Sequence, residues 1–265
     1  MINNATPQET RPAVVLLHSS MSSRSQWSEL MKQQESDFRF IAVDLLGYGK
    51  SPFPDHVEGA AFSLAHEADA VSAALAAHLD AGEPFHLIGH SYGGATALRL
   101  ARQMQSRVLS LALFEPVAFH LLAKDDAARV EIETVVAAIL AAGNEQDATR
   151  IFIDYWNRTG AFDALAPEQQ ARFTAQIAKV KLDFQALLGE PASLRDMAAL
   201  DMPALLLHGQ HAPASTRRVA EQLSAALPNA TLAQTKGGHM APITHAAAVN
   251  PLLAGFLAGT AVLSD

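Results

Sequence analysis

Gly89-His90-Ser91-Tyr92-Gly93 sits between two segments of different periodicity. A short apolar run, Phe85 to Ile88, precedes it, and a helical run, Ala95 to Met104, follows. Gly-x-Ser-x-Gly is common by chance, but in this context it requires a sharp strand-to-helix turn with a serine held out at its apex. The turn strains the serine backbone, and side chains at Gly89 and Gly93 would collide with the neighbouring strand and helix. A chain organised around such a turn is restricted to architectures in which a strand feeds directly into a helix packed against it.

The rest of the chain repeats that alternation. Apolar runs at Ala13–His18, Phe40–Leu46, Phe85–Ile88, Leu109–Phe114, Ala204–His208 and Thr231–Thr235 predict strands buried on both faces. Such strands belong to a mostly parallel sheet with helices on each side. Covering helices are predicted at Leu64–Leu79, Ala95–Met104, Ser215–Ala226 and His245–Leu257, with Pro228-Asn229 stopping the third. The alternation fails between Glu115 and Met202, where the pattern is helical only: Ala127–Ala141, Asp147–Asn157, Pro167–Lys181 and a short piece near Leu194. The expected fold is therefore α/β: a mostly parallel sheet of about six to eight strands flanked by helices, formed by residues 1–116 and 203–265. A helical cap, residues 117–202, is inserted after the strand ending at Glu115, over the C-terminal sheet edge where open α/β sheets bind ligands.

Composition narrows the function classes. A net charge of −8 disfavours nucleic acid and anionic membrane surfaces as partners. The absence of cysteine removes disulfides and a thiol nucleophile. Residues Met1 to Pro12 are polar, without the apolar core of a signal peptide, and no run reaches the ~20 apolar residues of a membrane span. A cytoplasmic protein acting on a small molecule is the expectation; the sequence does not give the oligomeric state.

A serine hydroxyl needs a base to become nucleophilic, most often histidine, whose pKa lies at about 6.5. Of the eleven histidines, His239 stands in a glycine-rich loop, Lys236-Gly237-Gly238-His239-Met240, after the last predicted strand. Such a loop brings the ring to the sheet edge where Ser91 points. His208 and His211 have a spacing that suggests a metal, but they occupy a strand end and a loop with no third ligand, so no metal and no cofactor are expected.

Taken together, these motifs resemble the α/β-hydrolase superfamily, over nearly the whole chain and in the expected order. His18-Ser19-Ser20 with Trp27 resembles its oxyanion loop. Asp44-Leu45-Leu46-Gly47-Tyr48-Gly49-Lys50-Ser51 resembles its Asp-x-x-Gly-x-Gly-x-Ser signature, Gly89 to Gly93 its nucleophile elbow, and Gly238-His239 its catalytic histidine. Gly49-Lys50-Ser51 also ends like a phosphate-binding loop, but Asp44 stands where that motif requires glycine. Turn geometry accounts for Gly47 and Gly49.

The resemblance implies a Ser–acid–histidine triad whose acid usually follows the strand ending at Gly209. That position is Ala212, and no residue from Gln210 through Thr216 carries a carboxylate. Glu115 closes the strand Leu111 to Phe114, directly before Pro116 and beside the elbow strand, and keeps the chain order Ser91, Glu115, His239. Some superfamily members place their acid there, and Glu115 is taken as the candidate. The backbone N–H of Tyr92 is one expected oxyanion donor, with Ser20, or else Ser19, supplying the second. Phe119, Phe152, Tyr155, Trp156 and Met240 are candidates for the pocket wall. The implied function is a serine hydrolase cleaving a small neutral or apolar ester-like substrate through an acyl-enzyme. Carbon–carbon bond, lactone or thioester hydrolysis, or cofactor-free peroxidase chemistry, uses the same triad. A non-catalytic ligand receptor or partner-binding module on this fold is the alternative of another class. One or both of the strands that the superfamily normally fits before the first matched one are expected to be missing, since only about twelve residues precede it.

Overall fold

The computed structural model describes residues 11–54 and 61–259. In chain order, β1 (Ala13–Leu17) leads through a short 3₁₀ turn to α1 (Ser28–Gln34) and β2 (Arg39–Val43). Then come α2 (Leu64–Leu75), β3 (Phe85–His90), α3 (Tyr92–Gln103) and β4 (Val108–Phe114). Five helices follow without a strand: α4 (Ala127–Ala141), α5 (Glu145–Trp156), α6 (Pro167–Thr174), α7 (Ile177–Leu188) and α8 (Leu194–Met197). The alternation resumes with β5 (Ala204–Gly209), α9 (Ala214–Ala226), β6 (Ala230–Thr235), α10 (Ala241–Thr244) and α11 (Ala246–Leu257).

The six strands form one sheet in the order β2-β1-β3-β4-β5-β6, all neighbours parallel. Successive side chains on a strand point to opposite faces, and the apolar runs feed two cores accordingly. Val15, Leu17, Leu111, Leu113 and Leu206 face α2, α3, α9 and the inserted helices. Val14, Leu16, Ala112, Phe114, Leu205 and Leu207 face α1 and α11. Each fully buried leucine stabilises the fold by about 1.5–3 kcal/mol. Burial on both faces explains why the central strands β1, β3, β4 and β5 read as continuous apolar runs, whereas the edge strands β2 and β6 are only partly buried.

The expected fold class is thus observed, with six strands among the described residues. The expectation of missing N-terminal strands concerns residues 1–10, which lie outside the described ones. One predicted helix, Pro167 to Lys181, is in fact two: α6 ends at Thr174 and α7 begins at Ile177. No glycine or proline marks that break; Gln176 turns the chain with φ −99° and ψ −5°. The first two helices of the strand-free stretch, α4 and α5, are capped by Asp126 accepting from the Ala128 N–H and Asn144 from the Asp147 N–H.

The segment after β2 behaves as a turn rather than a phosphate cradle. Asp44 accepts hydrogen bonds from the N–H of Arg24 and of Lys50, at 2.7 and 3.0 Å. Gly47 and Gly49 both have positive φ (74° and 57°), so glycine is required by the turn itself. No helix among the described residues is long and apolar enough to cross a membrane.

Candidate active site

The C-terminal ends of β1, β3, β4 and β5, and the loop after β6, converge at one edge of the sheet. Ser91 leaves β3 with φ 56° and ψ −119°, a conformation disfavoured for a residue with a β-carbon. Its N–H donates to the Phe114 carbonyl at 3.0 Å, tying the turn to the end of β4. A β-carbon at Gly89 would lie 2.5 Å from the Gly93 carbonyl oxygen, and one on Gly93 would sit against the carbonyls of Leu17 and His18. The two glycines therefore let α3 start in contact with both β3 and β1. The Gly93 N–H donates to the His18 carbonyl at 3.1 Å, whereas the Tyr92 N–H finds no acceptor among the described residues.

His239 reaches the same edge from the loop after β6. Its Nε2 lies 2.9 Å from Ser91 Oγ and its Nδ1 lies 2.8 Å from Glu115 Oε2. Glu115 is fully buried, with its own φ at 41°, and its N–H donates to the Leu207 carbonyl at 2.8 Å. Its carboxylate accepts two further bonds, from the Gly209 N–H at 2.9 Å and the Thr216 hydroxyl at 2.8 Å. Burial alone would push the Glu115 carboxyl up. The hydrogen bond to His239 and that ring's charge, with Gly209 and Thr216, outweigh burial and hold it below its ordinary value. An ionised Glu115 accepts from Nδ1–H, which leaves Nε2 free to accept the Ser91 hydroxyl proton.

The oxyanion-loop candidates are held with equal care. Nε2 of His18 accepts the Leu45 N–H at 3.0 Å, so its Nδ1 carries the proton and donates to the Ser19 carbonyl at 2.7 Å. Accepting from Leu45 needs a neutral ring, and burial lowers the His18 pKa to about 4. Ser19 spends its N–H and its hydroxyl on Gln26 Oε1, at 3.2 and 3.0 Å. The Ser20 N–H has no acceptor among the described residues.

Ser91 and His239 open onto a cavity of about 560 Å³ that also takes in Ser19 and Ser20. Of the five predicted wall residues, Phe152, Trp156 and Met240 line it; Phe119 and Tyr155 are not among its lining residues. Phe119 is buried in the larger core, and Tyr155 bonds Glu131 and Ser215 at 2.7 and 2.6 Å, fastening α5 to α4 and α9. Trp156 stacks on the His239 ring, with centroids 4.0 Å apart and planes 27° apart. His239 is further steadied by His90, whose Nε2–H donates to the His239 carbonyl at 2.8 Å. Burial, with His239 beside it, keeps the His90 pKa well below the ordinary histidine value. No group of three or more His, Cys, Asp or Glu residues able to hold a metal occurs among the described residues.

Sequence reasoning missed the residues that hold these groups: Gln26, His90, Gly209 and Thr216. Register supplies a signal for two of them. β5 pairs with β4, and the loop that lacks a carboxylate lies against the end of β4, so its donors are the natural partners of an acid moved to Glu115.

The sequence model for the alpha/beta hydrolase fold matches residues 12–246. A 120-residue segment is 32% identical to the protein named "Probable lysophospholipase BODYGUARD 1" of Arabidopsis thaliana, covering 43% of this chain and 25% of that relative. The matches to the first curated relatives span about a quarter of their lengths. A pimeloyl-[acyl-carrier protein] methyl ester esterase of Neisseria meningitidis serogroup B is 27% identical over 255 residues, 93% of each chain. Among solved structures, the enol-lactonase of Burkholderia xenovorans superposes with a TM-score of 0.71 at 19% identity, covering 96% of this chain and 94% of the other.

Proposed function

The chain belongs to the alpha/beta hydrolase fold family, and on that premise we propose that it is a serine hydrolase cleaving a small, neutral or apolar ester-like substrate through an acyl-enzyme. One observation carries the reading: an unbroken hydrogen-bonded line from Ser91 through His239 to Glu115, opening onto a cavity. The esterases among its relatives support the same class. Residues 1–116 and 203–265 form the core in this reading, and residues 117–202 the cap that shapes the pocket.

Ser91 Oγ attacks the substrate carbonyl carbon as its proton passes to His239 Nε2. The carbonyl oxygen takes up the electron pair and accepts hydrogen bonds from the N–H groups of Tyr92 and Ser20. Tyr92 opens α3, so the positive end of the helix dipole favours the same charge. Collapse of the adduct expels the leaving oxygen, which takes the proton from His239. Water then repeats the sequence on the acyl-enzyme. Glu115 keeps the imidazole in the required tautomer and offsets its transient charge. Phe152, Trp156 and Met240 give the pocket an apolar wall, which suits an apolar acyl group, and Arg172 also lines it.

A fluorophosphonate probe tests the proposal. Stoichiometric labelling of the wild-type chain, lost in Ser91→Ala, is expected. A chain that takes no label at any pH between about 6 and 9 is not a serine hydrolase. A panel of p-nitrophenyl esters of increasing acyl length then ranks the substrates.

A further inference from the structure

A cluster of five buried polar side chains lies outside the cavity, and the mechanism above uses none of its ionised groups. Lys179 and Asp183 come from α7, Glu67 from α2, Tyr48 from the turn after β2, and Tyr92 from the elbow. Lys179, Glu67 and Asp183 are at most 2% exposed. Lys179 Nζ pairs with Asp183 Oδ1 and lies 3.2 Å from Glu67 Oε2. The rings of Tyr48, Phe62 and Tyr92 surround the same ammonium at 4.9, 4.8 and 4.7 Å. Burying an ion is costly unless it is paired and hydrogen-bonded, and here every ionised group has several partners.

The informative part is where the two carboxylates turn their remaining lone pairs. Asp183 Oδ2 accepts from the Ser20 hydroxyl at 2.7 Å and from the Tyr48 hydroxyl at 2.5 Å. Glu67 Oε2 accepts from the Tyr92 hydroxyl at 2.9 Å, and Glu67 Oε1 from the Leu46 N–H at 2.7 Å. Ser20 and Tyr92 are the two residues whose N–H groups are assigned to the oxyanion. Each is therefore moored by its side chain to a different carboxylate, and both carboxylates converge on one ammonium supplied by the inserted helices.

We propose that Lys179, acting through Asp183 and Glu67, is the positioning residue that sets the spacing of the two oxyanion donors, Ser20 and Tyr92. None of the three ionised groups lines the cavity, so none touches substrate. Without the ammonium, two carboxylates would face one another in a buried space, and one would take up a proton or turn away. Its mooring would slacken, and a donor that must sit 2.7–3.1 Å from the developing oxyanion would wander. This inference rests on the serine-hydrolase reading.

The test measures kcat and KM on the p-nitrophenyl ester that the wild type turns over fastest, together with inhibition by phenylboronic acid. The boronate's tetrahedral serine adduct presents an oxygen to the same donors, whereas the ground-state ester does not depend on them. Lys179→Met is expected to lower kcat about 10- to 100-fold, short of the 10²–10³ loss of a whole donor. KM should stay within about twofold and boronate affinity should fall in parallel with kcat. Ser20→Ala and Tyr92→Phe, which cut one mooring each while keeping the N–H, are expected to cost about 3- to 10-fold in kcat, and less than that when added to Lys179→Met. If Lys179→Met does not fold, the Ser20→Ala/Tyr92→Phe double variant carries the test. Variants that raise KM but keep kcat and boronate affinity overturn the proposal while leaving the hydrolase reading intact. A wild type that neither hydrolyses an ester nor binds the boronate overturns both.

Discussion

Glu115 accepts three hydrogen bonds while completely buried: from His239, from the Gly209 N–H and from the Thr216 hydroxyl. An amide in its place would keep the shape and reverse one polarity, because a donating nitrogen would face a donor. Glu115→Gln is accordingly expected to lower kcat by about 10⁴, the cost of losing a triad acid elsewhere, with little change in KM. Steady-state kinetics on a p-nitrophenyl ester check it, and near-wild-type turnover would mean that His239 is oriented by something else. Ser91, His239 and Glu115 could be picked out in the sequence because each sits where a strand ends and the chain turns, a position marked by glycine, proline or an interrupted apolar run. Thr216, Gln26 and His90 could not be picked out. Thr216 and His90 act on residues 101 and 149 positions away, and Gln26 braces a loop seven positions back through a side chain that local pattern does not distinguish; a threonine on the first turn of a helix has the same local signature whether it bonds a carboxylate or faces solvent.

The strands were legible as short apolar runs, and α2, α3, α9 and α11 by their helical pattern, whereas α1, which also covers the sheet, was not read from the sequence. The break between α6 and α7 was not. Its residues, Thr174 to Gln176, are compatible with helix, and the chain turns there for tertiary reasons: the turn delivers Lys179 and Asp183 to the core side of α7. At this scale the tightest constraint is the start of α3. Gly93→Ala would set a methyl group against the backbone carbonyls of Leu17 and His18, neither of which is the flexible end of a side chain. The helix would have to back away from β1, carrying Ser91 with it. A loss of about 2–4 kcal/mol is expected, read as a drop in the denaturant midpoint at unchanged m-value, together with loss of fluorophosphonate labelling. A variant of wild-type stability would show that the helix has room to move.

For the whole molecule, the buried histidines set a limit on acid tolerance. His18 and His120 have pKa values lowered by burial to about 4, and His90 lies well below the ordinary value. Unfolding returns each to about 6.5, so between those values the unfolded chain binds protons that the folded one refuses. Stability is therefore full above about pH 6.5 and falls as the pH drops toward 4, with uptake of about two to three protons on unfolding. Glu115, held below its ordinary value mainly by His239 against the opposing effect of burial, adds a loss of the same sign at the lower end of that range. Calorimetric melting temperatures from pH 7.5 to 4.5 test this, and His120→Gln should flatten the slope. A melting temperature that stays level across that range would show these rings to be protonated in the fold.

The sheet order also has a consequence for how the protein comes into being. Its neighbours pair in parallel, so every contact between strands waits for an intervening crossover, and the site collects groups from His18 at one end of the chain to His239 near the other. Contacts so far apart in sequence form late and slowly. On the ribosome, Ser91 and Glu115 emerge long before His239, the base of the proposed mechanism. Under that mechanism a growing chain carries a serine hydroxyl without its base until residue 239 has left the exit tunnel and packed against Ser91.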